Sequence, residues 1–412
     1  MSRPAGNARL KAARVAAGYP SQQDLADALG VGVRQIRRWE SDTPPWPHPD
    51  MQTALVRLFG QDLAALGFTA PDGRDQPAPT RRRVISSTLA AAAGLATVPR
   101  AAAQTRQPAS VAADFESVTR SHRRLYWSVA PTNLHPAATA HATLGCALLP
   151  ETAGATRQRV AAALAETLLL AGRVEFFDLQ EPARAQDTWL RALQAAGEAD
   201  DSLLGAAVLA HTAFIPGWAG QREQAVERMV AARTYARRGP ADALMLAWLD
   251  AVEAECETRC GNTRTALNLV RHAEDVLAAD GDHGETPEWL DWFTPVRLAA
   301  FKGNTELRAG LLPQARTTLL AVLDELPDTD EKQCTVILGD LAAVEAAAGN
   351  PEEACAYAVR ALDQLEVTWY ATGMDRVREV RRALAPHQHE TCVRDLDDRL
   401  YGWSTTVSAL AR

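Results

Sequence analysis

The chain has 412 residues, 47% hydrophobic, 23% charged and only 6% aromatic, which excludes a wholly disordered polypeptide and leaves room for two to three domains. Its formal net charge of −8 averages unlike parts: residues 1–110 hold 14 Lys/Arg against 8 Asp/Glu, and the other 302 hold 29 against 43. A basic module of +6 is joined to an acidic body of −14. Leu and Ala dominate that body and β-branched strings are almost absent, so side-chain entropy favours helix over sheet. The six cysteines form no dense framework, as expected in a reducing compartment.

Leu10, Arg14 and Ala17 fall at helical spacing between Asn7 and Ala17, and Gly18 ends that helix. Ser21 is the expected N-cap of a second helix, with Asp24 in the capping-box position and Leu25, Ala26 and Leu29 on the inner face. Gly30-Val31-Gly32 makes a short turn. A third helix from Val33 to Trp39 turns Ile36 inward and leaves Arg34, Gln35, Arg37 and Arg38 around its outer surface. Two short helices joined by a glycine-containing turn make a helix-turn-helix unit.

The run from Ser21 to Val31, followed by Ile36, Trp39 and Glu40, resembles the phage-repressor or Xre family of DNA-binding domains, over residues 7–68. The resemblance implies a five-helix domain within residues 1–69, closed by Leu55, Leu58, Leu63, Leu66 and Phe68. It also implies that Trp39 packs internally and that Glu40 holds the helix end. The Pro-rich stretch Thr43 to Pro49 departs from the family pattern and lengthens the loop after the third helix. Arg reads guanine edges and Gln adenine edges in the major groove, so Arg34, Gln35 and Arg38 are the expected base readers. Arg37 reaches a base or a phosphate, and Gln22 a phosphate.

Pro71, Asp72, Gly73, Asp75, Pro77 and Pro79 mark a boundary that opens a basic, Ala/Pro-rich linker over 70–110. Arg81-Arg82-Arg83 then precedes an apolar run from Val84 to Val98 that superficially resembles a twin-arginine export signal. That run is 15 residues long and interrupted by Ser86, Ser87 and Thr88. A bilayer span needs about 20. A linker or short packing helix is therefore expected, in a cytoplasmic protein with no membrane partner. Arg74 and the three arginines are either an auxiliary phosphate patch or a solvated linker face.

From residue 111 to 412 the chain reads as successive amphipathic helices with a recurring turn followed by Ala-x6-Ala. The pairs are Ala185/Ala192, Ala225/Ala232, Ala266/Ala273 and Ala354/Ala361, with Ala315/Val322 a weaker copy; first positions are spaced by 40, 41, 49 and 39 residues. Seven residues are two helical turns, so each pair lies on one face and lets a neighbouring helix approach. The expected fold class is all-α: a helix-turn-helix head followed by an α-solenoid of stacked hairpins. The Gly-Asn-x3-Ala-x6-Ala halves resemble the tetratricopeptide repeat family, although the units are longer than its usual period. Helices over residues 374–385 and 390–400 are expected to cap the array or form a dimer interface.

Chemistry-bearing motifs in the body are weak. Cys256 and Cys260 lie one helical turn apart without a second ligand pair nearby, and His387, His389, Glu390 and Cys392 read as a solvated helix start. Phosphate-binding, dinucleotide and zinc-protease fingerprints are all missing from the sequence, so neither an enzyme, a cofactor nor a metal is expected. Trp218, Trp248, Trp289, Trp292 and Phe293 are candidates for a ligand or peptide surface, with inter-repeat packing as the alternative. Repressor-type heads joined to such arrays resemble ligand-responsive bacterial regulators. The expected function is sequence-specific transcription regulation as a homodimer on a palindromic operator, with a peptide, protein or small-molecule effector; the alternative is an interaction scaffold with a vestigial DNA-binding head.

Overall fold

The computed structural model describes residues 6–69 except 30, 48, 60 and 62, then 107–279 and 286–410. The expectations for Arg74, for Arg81 to Arg83 and for the run 84–98 lie outside the described residues. Two compact units divide the chain at Val98, inside the anticipated linker. Among the described residues all regular structure is helical.

In the first unit, α1 (Ala8–Ala16), α2 (Gln22–Leu29), α3 (Val33–Trp39) and α4 (Pro49–Phe59) enclose a core of Leu10, Leu25, Ile36, Trp39, Leu55 and Leu66. The Asn7 side chain caps α1 by accepting from the Leu10 amide. Its own amide donates to the carbonyls of Trp39 (3.2 Å) and Leu66 (2.9 Å), tying the start of the domain to its end. The capping box forms as expected: the Asp24 amide donates to Ser21 Oγ at 3.1 Å and the Ser21 amide to Asp24 Oδ2 at 2.8 Å. One expectation is corrected. Leu63, Leu66 and Phe68 are buried, but the segment holding them is a turn rather than a fifth helix. The Phe68 amide reaches back to Leu63 O at 2.9 Å, and Gly67 sits at φ +84°, a left-handed geometry that stops helical propagation.

The second unit begins with α5 (Ser110–Leu125), α6 (Pro131–Leu148) and α7 (Gly154–Arg173). It continues through α8 (Pro182–Ala199), α9 (Ser202–Trp218), α10 (Arg222–Ala236), α11 (Ala243–Arg259) and α12 (Thr263–Ala279). The last elements are α13 (Pro295–Arg308), α14 (Leu312–Glu325), α15 (Glu331–Ala348), α16 (Pro351–Val367), α17 (Ala371–Ala383) and α18 (Thr391–Leu410). From α7 to α16 consecutive helices pack in pairs. The spaced alanines all lie on the second helix of a pair, and all are buried together with Val322. Within the α11–α12 and α15–α16 pairs the reversal is made by Gly261 and Gly349 at φ +81° and +82°. The next amide closes each turn, Asn262 onto Glu257 O at 2.8 Å and Asn350 onto Glu345 O at 2.9 Å.

The end of this unit returns to its beginning. Thr372 Oγ1 donates to Phe177 O at 3.0 Å, the Lys332 amide to Trp127 O at 3.3 Å, and Thr368 Oγ1 to Ser128 O at 3.4 Å. Immediately after α7 the backbone widens into one π-turn, Val174–Asp178, in which the Leu179 amide bonds to Val174 O, five residues back.

Candidate functional site

Two places in the molecule concentrate chemistry, one in each unit. In the first unit, Leu25 and Ala26 of α2 and Ile36 and Trp39 of α3 are buried, so the polar residues of α3 have one direction left. Arg34, Arg37 and Arg38 are exposed and Gln35 is half-buried. Their carrier is fixed from beneath by a buried ion pair: Arg14 Nε meets Glu40 Oε1 at 2.7 Å, with both side chains at most 6% exposed. Arg14 Nη1 also donates to the carbonyls of Tyr19 (2.8 Å) and Pro20 (2.7 Å), which close the turn into α2. Gln22 Nε2 donates to Glu40 Oε2 at 2.6 Å, so this amide is held within the protein. Glu40 therefore joins the ends of α1, α2 and α3. Sequence reasoning placed Arg14 in the first-helix pattern without a partner; an arginine at helical spacing between Leu10 and Ala17 on an otherwise apolar face was the signal for its buried role.

In the second unit a cavity of about 120 Å3 lies among the first helices of the pairs. Trp218, Trp248 and Trp292 line it, as do Tyr126, Trp127 and Phe177. Of the remaining aromatic candidates, Trp289 borders a neighbouring hollow and Phe293 is buried against Trp292, with ring centroids 5.9 Å apart. Four arginines also reach the cavity, none of them singled out by sequence. Three have carboxylate partners: Arg259 Nε with Glu255 at 2.9 Å, Arg297 Nη2 with Asp330 at 2.6 Å, and Arg376 Nε with Asp340 at 3.1 Å. Burial pushes Arg297 down to about 10 even so.

Arg173, at the C-terminus of α7, is the fourth. It is 9% exposed, has no carboxylate within ion-pair distance among the described residues, and its Nε has no hydrogen-bond partner. Its guanidinium carbon lies 4.5 Å from the Tyr126 ring centroid, 4.6 Å from Trp292 and 5.3 Å from Trp127. Behind this wall Lys332 and Asp178 form an ion pair of 2.5 Å with no exposed side-chain surface, and Tyr126 Oη donates to Asp178 Oδ2 at 3.1 Å. Burial pushes Asp178 up and Lys332 down, against their mutual attraction.

His211 also faces the cavity. Its Nδ1 lies 2.8 Å from Ala207 O, which only accepts, so Nδ1 carries the proton and Nε2 is a neutral acceptor. Burial lowers its pKa to about 3. An unfolded chain binds this proton near pH 6.5 and the folded one does not, so folding loses free energy as pH falls below that value. We expect the wild-type unit to lose about 1.4 kcal/mol per pH unit, relative to a His211→Asn variant, between pH 6 and 4. Denaturant titrations at several pH values check this, and parallel pH profiles refute it. Glu166 acts in the opposite sense, since burial raises it to about 7 despite its contact with Arg123.

The cysteine pair is a packing feature. Cys256 Sγ donates to Ala213 O at 3.5 Å and Cys260 Sγ to Gly217 O at 3.6 Å, and burial raises both thiols, disfavouring the thiolate a metal needs. His387 Nδ1 pairs with Glu390 Oε1 at 2.7 Å. Among the described residues no three such side chains gather as they do around a metal ion, and no helix is long and apolar enough to cross a membrane.

Residues 10–66 match the model of a helix-turn-helix family. The first unit thus contains an Xre-type helix-turn-helix domain, a DNA-binding regulatory module and not an enzyme. The second unit is a large all-α body outside that match. No curated protein matches the chain.

Proposed function

We propose that this chain is a sequence-specific transcription regulator whose head reads duplex DNA and whose body dimerises and senses an effector. The observation that carries the reading is the row of exposed arginines on α3, set on a buried Arg14–Glu40 brace inside the matched domain. A short helix enters the major groove with its outer side chains toward base edges. Arg34, Gln35 and Arg38 read bases, Arg37 a base or a phosphate, and Gln22 contacts phosphate while its amide stays on Glu40. The acidic body resists indiscriminate adherence to DNA and leaves contact to the head.

The body is a tetratricopeptide-like array of hairpins, a reading supported by the buried alanines on the second helix of each pair. A homodimer presents two heads to half-sites about one helical turn, roughly 34 Å, apart or a multiple of it, so the operator is palindromic. Selection of duplexes from a random pool by the purified full chain tests this. An enriched motif with two symmetric half-sites is expected. Arg34→Ala and Arg38→Ala should each cost about 1–3 kcal/mol at particular base positions, and Arg37→Ala, if it meets phosphate, weakens all sequences alike. Recovery of no motif overturns the regulator in favour of an interaction scaffold with a vestigial head.

A further inference from the structure

We propose that the interior cavity of the second unit binds a small planar carboxylate, with the Arg173 guanidinium as its counter-charge and Trp127, Trp292 and Tyr126 as its ring-stacking wall. The proposal names the ligand class for the sensing role above and rests on that reading for its purpose. It starts from charge. Of the four arginines at the cavity, three meet carboxylates, and Arg173 alone meets none among the described residues. Taking a cation out of water is costly, and contacts with aromatic faces lack the full charge of a carboxylate partner. The rings around Arg173 therefore compensate it only in part, and an anion placed beside it completes the balance.

Shape and sign narrow the ligand. The cavity of about 120 Å3 is comparable with a void of roughly 150 Å3 that holds benzene. It shares Arg173, Trp127, Trp292 and Arg297 with an adjoining cleft of about 590 Å3, which supplies a way in. That cleft also presents Asp291, Glu325 and Asp330, which repel a second negative charge and disfavour polyphosphates. A single carboxylate matches one guanidinium that has no carboxylate at ion-pair distance among the described residues, and its planar fork suits two parallel N–H···O bonds. Flat rings such as Trp127 and Trp292, with centroids 5.7 Å apart, favour a flat apolar group beside the anion. His211 offers a neutral acceptor deeper in the same cavity.

The test is calorimetric titration of the full chain with benzoate and with its neutral isostere benzamide, without DNA, so that loss of ligand binding and loss of operator binding are separate results. Benzoate should bind at least about tenfold more tightly than the amide, the value of a charge-assisted bond. Arg173→Gln should remove that preference and leave the weak amide binding unchanged, with thermal melting reporting the fold. Arg173→Lys keeps the charge without the fork and should fall between, which preserves the test if the glutamine variant fails to fold. Equal binding of acid and amide, a preference that survives Arg173→Gln, or no binding of benzoate up to millimolar concentration overturns the proposal. A tripeptide ending in phenylalanine, as free acid and as amide, forms the last arm. Binding of the peptide acid where benzoate fails assigns the site to chain termini and also overturns it.

Discussion

Replacing Glu40 by alanine is expected to unfold the first unit while the helices of the second remain protected. Glu40 is a buried carboxylate whose two oxygens serve Arg14 and Gln22, at 2.7 and 2.6 Å. Its removal strands the Arg14 guanidinium, 5% exposed, among the apolar residues of α1 and the carbonyls of Tyr19 and Pro20. Breaking one side of a buried ion pair costs about 3–5 kcal/mol. A domain of some 60 residues has about that much stability in total. Hydrogen exchange read helix by helix should show amides of α1 to α3 losing protection and those of α7 to α16 unchanged, and operator affinity should vanish. Glu40→Gln, which keeps one acceptor, should lose less. Unchanged protection in α3 after Glu40→Ala would show that the brace is not what holds this helix.

Lys332→Met should destabilise the second unit by about 3–5 kcal/mol, because Asp178 is then left buried without its cation. Tyr126 Oη supplies one hydrogen bond to that carboxylate, which is too little to replace an ammonium. The loss is larger at neutral than at acid pH, since burial already pushes Asp178 toward its protonated form and a proton can substitute for the lysine. The double variant Lys332→Met/Asp178→Asn should recover most of the loss, leaving a coupling energy well above the roughly 0.5 kcal/mol of independent sites. Urea denaturation of the four proteins in the cycle measures it. If the single and double variants are equally unstable, the helix contacts around the pair, and not its charges, close the unit.

Much of the head could be read from sequence because its determinants are local. The Ser21/Asp24 box, Gly18 and the Ile36/Trp39 spacing act within a few residues, and the structure places α2 and α3 accordingly. The spaced alanines were legible for the same reason: two turns of one helix put them on one face. The fifth helix was misread because the buried positions Leu63, Leu66 and Phe68 satisfy a turn as well as a helix, and Gly67 decides for the turn. The cavity was legible only in part. Its tryptophans stand out by composition, but Lys332 meets Asp178 across three intervening hairpins, and no local pattern records that meeting. Arg173 had a faint signature, a single cation closing the apolar run Leu168-Leu169-Leu170-Ala171-Gly172.

The π-turn at Val174–Asp178 has a consequence for how this unit tolerates change. Such a turn holds one residue more than an α-helix needs. Arg173 stands just before the extra residue; Phe177, on the cavity wall, and Asp178, on Lys332, stand at the turn's far end. Loss of one residue between Arg173 and Phe177 lets the helix rewind to α geometry, and because the turn held a surplus residue, the chain beyond it keeps its phase. Phe177 then stays on the wall and Asp178 on its lysine, and only the contacts of the lost residue are given up. Inside the neighbouring regular helices a lost codon turns every later side chain by about 100°, whereas here the surplus residue absorbs it, so this is the place along the wall where a change of length is borne best.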